Sequence, residues 1–157
     1  MPNGVLRERN DKQALEVSEE ERLATYDARW EAGGSGFLGA FNDIMTNNTA
    51  NETMADFVRN KIRATIKDRV TAEILCPTTH PIGTTRLCVD SGYYETYNRG
   101  NIELVDISET PISGLTESGL VVGDRAFEFD AIGFDAMTGT LLKVDIRGRG
   151  GKALKDK

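Results

Sequence analysis

Most of the side chains whose type and spacing could do chemistry fall in one run, Thr78-Thr79-His80-Pro81-Ile82-Gly83-Thr84-Thr85-Arg86-Leu87. Proline, glycine, hydroxyls and one arginine mark a loop, and loops held by rigid elements often carry function. A guanidinium is planar and always charged, so Arg86 could hold a phosphate or stabilise a developing oxyanion. On residue type alone, a surface ion pair is the simpler role for it. His80 has no carboxylate beside it in sequence, which favours a packed, hydrogen-bonded histidine over a general base. It is the only histidine, so a Cys/His zinc site of four ligands is excluded and no metal is expected. Cys76 and Cys88 read as packing residues, because thiolate chemistry needs an activating base that no neighbour supplies. The tyrosines of Gly92-Tyr93-Tyr94-Glu95-Thr96-Tyr97-Asn98-Arg99 are of a kind that packs and bonds to backbone more often than it grips a ligand.

A second run, Gly34-Ser35-Gly36-Phe37-Leu38-Gly39, matches the G-x-G-x-x-G pattern that cradles pyrophosphate. That pattern works only between a strand and a helix N-terminus. Here the lead-in, Arg22 to Ala32, has a helical pattern, and the acid about 20 residues on, Asp56, lies on an amphipathic helix. The run reads as a turn between helices.

The elements that must position the loop divide the chain in two. From Glu16 to Leu75 the pattern is helical. Ser18-Glu19-Glu20-Glu21 is a capping box opening a helix that runs toward Trp30 and stops at Gly33 and Gly34. Phe37 to Met45 suggests a second helix. Thr49-Ala50-Asn51-Glu52 is another capping box, followed by Met54, Phe57, Val58, Ile62 and Ile66 on one face. The opposite face carries Arg59, Lys61, Arg63 and Lys67 and reads as solvated. Beyond Pro77 the pattern turns to strands: Asn101 to Ile107, then Gly119–Val122 and Arg125–Ile132 as a hairpin through Gly123-Asp124. Residues from Arg147 onward, rich in glycine and lysine, read as an exposed loop or tail.

With 157 residues there is room for one domain or slightly more, and 39% apolar with 28% charged residues is a globular balance. A net charge of −6 argues against a nucleic-acid partner. No apolar run approaches a membrane span, and no secretory h-region follows Met1, so a cytoplasmic protein with reduced thiols is expected.

The run Arg86-Leu87-Cys88-Val89-Asp90-Ser91-Gly92-Tyr93-Tyr94-Glu95-Thr96-Tyr97-Asn98-Arg99, with Asn101-Ile102-Glu103-Leu104-Val105-Asp106 after it, resembles the Baeyer–Villiger monooxygenases. So do Gly133-Phe134-Asp135-Ala136-Met137-Thr138-Gly139, Gly148-Arg149-Gly150-Gly151, and the helical region with Trp30 to Asp43. The resemblance implies an α+β piece of a flavoprotein with two Rossmann-like dinucleotide-binding domains, helical toward the N-terminus and β-rich toward the C-terminus. Residues 1–76 would be the helical insert, 77–125 the returning NADP-binding part, and 126–157 the start of the returning FAD segment. Such enzymes use FAD and NADPH to oxidise ketones to esters or lactones. In them the arginine at the position of Arg86 stabilises the negatively charged peroxyflavin and the adduct formed on the ketone. The residue before it is usually a lysine that holds the 2′-phosphate of NADPH. This chain has Thr85 there, which bears on cofactor choice.

Two further departures follow from the same resemblance. Family sequences carry a short apolar segment between the positions of Ile132 and Gly133, which are adjacent here. Local packing around Gly133 should suffer, because a deletion within a strand reverses the facing of later side chains. Both glycine-rich fingerprints and the signature histidine motif of the family are expected to precede this segment, and the rest of the FAD domain to follow it. The expectation is a segment of a ketone-oxidising monooxygenase that is inactive alone. The alternative is a small non-catalytic binding domain derived from the NADP-binding region.

Overall fold

The computed structural model describes residues 10–85 and 91–133. These form two compact units divided between Val105 and Asp106, each with its own contacts.

The first unit opens with helix α1, Glu19–Ala32. Ser18 caps it as expected, its hydroxyl accepting the Glu21 N–H at 3.2 Å, and Glu19, Glu20 and Glu21 complement the positive end of the helix dipole. Gly33 stops it with φ 69°, a conformation glycine adopts without strain, while its N–H returns to the Trp30 carbonyl.

The expected second helix over Phe37–Met45 does not form. A 3-10 helix spans Gly34–Gly39, and turns continue to Thr46. Three glycines in six residues weaken an α-helix, and the bent path lets Phe37, Ala40, Phe41 and Ile44 all reach the core. Asp43 helps hold that path: its Oδ1 accepts the Ala14 N–H at 2.9 Å.

Helix α2, Asn48–Thr65, is the spine of the unit. Its cap is Asn47 rather than Thr49, with Oδ1 accepting the N–H groups of Thr49 and Ala50. Asparagine is a strong cap and stands two residues earlier, which frees Glu52 to pair elsewhere. Met54, Phe57 and Ile62 are buried as their spacing predicts, with Ile66 just past the helix end. Tyr26 lies fully buried amid Phe37, Phe41 and Phe57, edge-on to Phe41 at 5.6 Å. Its hydroxyl bonds to that of Thr53 at 2.8 Å, so the buried polar tip is satisfied.

A second cluster, Ile62, Ile66, Ala72 and Cys76, packs beneath helix α3, Arg69–Leu75, which Asp68 caps through Thr71 N–H. The one-turn helix α4, Tyr93–Thr96, lays Tyr94 and the following Tyr97 against this cluster. Asn98 fastens it, accepting from Lys67 N–H and donating to the Thr65 carbonyl, both at 2.8 Å.

Asn101–Ile107 is not a strand. β-branched composition makes a strand only beside a partner for its N–H and C=O groups, and among the described residues no strand pairs with it. The second unit is a three-stranded antiparallel sheet in the order β1-β2-β3: β1 Ile112–Leu115, β2 Gly119–Val122, β3 Arg125–Glu128. The Val122–Arg125 pair leaves Gly123-Asp124 as the expected two-residue turn. β3 stops at Glu128, short of the expected Ile132. β1, with a glycine inside it and a proline just before it, gave no strand pattern to read.

Candidate functional site

The loop of interest leaves α3 at Cys76 and runs along α2. Two polar side chains of α2 hold it. At the first, Arg59 Nη1 donates to the Pro77 carbonyl at 3.2 Å, while Nη2 bonds to Glu52 and, at 2.7 Å, to Asp56. The hydrogen bond that Arg59 donates to Asp56 raises the guanidinium pKa above its already high value, with burial opposing and Glu52 assisting. The sequence placed Arg59 on a solvated face; it is 8% exposed. Helical spacing correctly set it off the apolar stripe, and the returning loop then covered it.

At the second point Asn51, 5% exposed, meets Ile82. Its Oδ1 accepts the Ile82 N–H and its Nδ2 donates to the Ile82 carbonyl, each at 2.9 Å, as a neighbouring strand would. The second Nδ2 proton goes to the Ile44 carbonyl, also at 2.9 Å. Ile82 packs against the aromatic core. Gly83 follows with φ 85° and lies so close to Met45 and Leu38 that a Cβ there would come within 2.8 Å of Met45 Sδ. Asn51 was not singled out from sequence. The available signal was an amide on the buried stripe with Met54, Ala55 and Val58.

On both sides of Ile82 and Gly83 the loop is exposed. His80 bonds through Nδ1 to the Thr79 hydroxyl at 3.0 Å and through Nε2 to the Thr85 hydroxyl at 3.4 Å. The packed histidine expected from sequence is therefore hydrogen-bonded but solvent-facing, because the core beneath the loop is already filled by Ile82. Among the described residues no carboxylate orients it, so a nucleophile–base relay is not built here. What the loop offers a ligand is hydroxyls and an imidazole on a fixed backbone. Thr85 is exposed at its end; Arg86, next in sequence, and Cys88 lie outside the described residues.

Cys76 is a packing residue as read: buried, its thiol against the Arg59 carbonyl, with burial pushing its pKa up. Tyr97 donates to the Tyr93 hydroxyl at 2.8 Å, and burial with that bond pushes its pKa up to about 12. Gly34–Gly39 has helix before it and turns after it, with Phe37 in the core, so the geometry of a phosphate cradle is absent. None of the described helices is long and apolar enough to cross a membrane.

No family model matches the chain. The 2-oxo-Δ3-4,5,5-trimethylcyclopentenylacetyl-CoA monooxygenase of Pseudomonas putida is 43% identical over 94% of the chain and 28% of that protein. A Baeyer–Villiger monooxygenase of Pseudooceanicola batsensis is 37% identical over 95% of the chain and 28% of its own length. An oxidised steroid monooxygenase solved with NADP superposes with a TM-score of 0.77 at 51% identity, over 96% of this chain and 29% of that one. The chain is a Baeyer–Villiger monooxygenase segment. It spans little more than a quarter of the length of the relatives it matches. Baeyer–Villiger relatives have been solved with FAD and NADP together, so those are the cofactors of the parent family.

Proposed function

We propose that this chain is the NADP-side part of an FAD- and NADPH-dependent monooxygenase that converts ketones to esters or lactones, and that it does not perform the reaction alone. The observation that carries the reading is the match over nearly the whole chain to monooxygenases solved with these cofactors. The Asn51- and Arg59-held loop ends at Thr85, and the family resemblance assigns Thr85 and the next residue, Arg86, to the cofactor side. Arg86 is the catalytic cation, placed where negative charge develops, and both residues contact NADPH. The finer division places the helical insert at 1–76, the returning NADP-binding part at 77–125 and the beginning of the returning FAD segment at 126–157, with the first part helical and the remainder β-rich. The chain's ketone-oxidising relatives include enzymes named for cyclopentanone and acetone, and a ketone is the partner assigned here. A nucleic acid is not, given the acidic balance. A cytoplasmic location goes with this chemistry.

FAD and NADPH supply the redox chemistry when bound. This chain's residues would contribute the Arg86 guanidinium, a hydroxyl at position 85 and the loop backbone that leads to them. Two complete cofactor domains do not fit in 157 residues, which supports inactivity alone. The test is a thermal melt of the 157-residue chain with and without FAD, NADPH or both. A melt indifferent to both cofactors is expected. A rise approaching the ~2.7 kcal/mol that ligand at ~100 times its Kd provides would favour an autonomous binding domain instead.

A further inference from the structure

Every hydrogen-bonding group of the Asn51 amide but one acceptor lone pair is used, and all its partners lie outside its own helix. Buried amides that are this fully committed to backbone set the position of what they bind. We propose that Asn51 is the positioning residue of the loop ending at Thr85, acting as a one-residue strand edge that fixes where the chain crosses α2. The importance of that loop for NADPH chemistry rests on the function proposed above; its placement does not.

Three observations converge on this role. Asn51 is reached from two sides, by the Ile44 carbonyl of the preceding turns and by both backbone groups of Ile82, so it locks the loop to the turns as well as to α2. Arg59, about two helical turns further along α2, holds the start of the same loop at Pro77, which leaves only the stretch between the two ties to vary. Gly83 sits against Met45 and Leu38, so close that a Cβ there would push the Met45 side-chain end aside. A loop tied by Asn51 at Ile82 can make that approach; among the described residues, a loop released there has no other polar bond to α2 on that side. Downstream, the Asn98 amide makes an equivalent pair of bonds at the other end of α2, to Thr65 and Lys67. The backbone is thus referenced to the same helix on both sides of positions 86–90.

The experiment is amide hydrogen exchange by NMR on the full 157-residue chain and its Asn51→Asp variant. Aspartate keeps the shape and the acceptor for Ile82 N–H but turns an oxygen toward two carbonyls. Exchange at Ile82 and Thr84 should rise at least about tenfold, while the Ile66 and Lys67 amides stay as protected as before. Equal protection of Ile82 in both chains overturns the proposal. So does a uniform loss at all four amides, which would make Asn51 a fold residue only. Ile82→Pro guards against that ambiguity, since it removes the bonded N–H from the loop and leaves α2 unaltered: the same local release at Thr84 is expected, and undiminished protection there counts against the proposal. The exchange data need no cofactor. A separate NADP⁺ titration of the unsubstituted chain, followed at Thr84 and Thr85, should move neither amide; a shift would count against the chain's being inactive alone and leave the exchange result untouched, so the two can fail independently.

Discussion

Position 85 carries a hydroxyl where the resemblance to the Baeyer–Villiger monooxygenases implies a lysine, and the difference would be one of charge at a fixed point. A threonine hydroxyl gives a phosphate a neutral hydrogen bond; an ammonium gives a charge-assisted one, roughly twice as strong. Thr85 is exposed, and its hydroxyl faces the His80 ring. In a complete enzyme carrying these residues, Thr85→Lys should raise the NADPH-over-NADH ratio of kcat/KM by about tenfold, the effect of ~1.5 kcal/mol. Steady-state kinetics with the two nucleotides measures it, and an unchanged ratio would remove position 85 from cofactor choice. Arg59 gives the complementary lesson. Its charge is spent inside the protein, on Glu52, Asp56 and the Pro77 carbonyl.

At the scale of elements, α2 does two jobs. One face presents Met54, Phe57 and Ile62 to the cores, while Asn51 and Arg59 tie the loop to the helix. The loop answers with Gly83, whose φ of 85° disfavours any side chain and whose added Cβ would displace the end of Met45. Gly83→Ala should cost about 1–3 kcal/mol, from left-handed strain and the clash with Met45. Gly36→Ala, with nothing within 4 Å and no positive φ, should stay near neutral. Urea midpoints of the two variants compare them directly, and equal midpoints would mean the loop does not press on Met45.

At the scale of the molecule, the cluster beneath α3 makes stability depend on alkaline pH. Cys76 and Tyr97 both border it, and burial raises both pKa values, the tyrosine to about 12 from 10. A raised pKa means the folded chain keeps its proton after the unfolded chain has lost it. Their contributions are therefore complete below about pH 9 and decline as pH rises, through the cysteine first and then from 10 toward 12. Asp68 and Glu73 act at the other end: hydrogen bonds from Thr71 and Arg63 hold their pKa values down, so their contributions disappear as pH falls through the carboxylate range. Urea midpoints should fall between pH 8.5 and 10.5, with Tyr97→Phe flattening the upper part of the decline. A midpoint that holds level above pH 9 would show that neither group is buried as described.

Sequence by itself determined what depends on neighbours along the chain. Ser18 caps α1 because its hydroxyl needs only the N–H three residues on, and Gly123-Asp124 turns a hairpin because two residues suffice. The stripe of Met54, Phe57 and Ile62 follows from helical period alone. The family was legible too, since a long run such as Arg86–Arg99 specifies it without coordinates. Tertiary structure decided what depends on distant partners. Asn51 and Ile82 stand 31 residues apart, and nothing local in either announces their pairing. Arg59 read as solvated until the Pro77 backbone crossed over it. Asn101–Ile107 had the composition of a strand, but a strand is made by the hydrogen bonds of its neighbour, and among the described residues it has none.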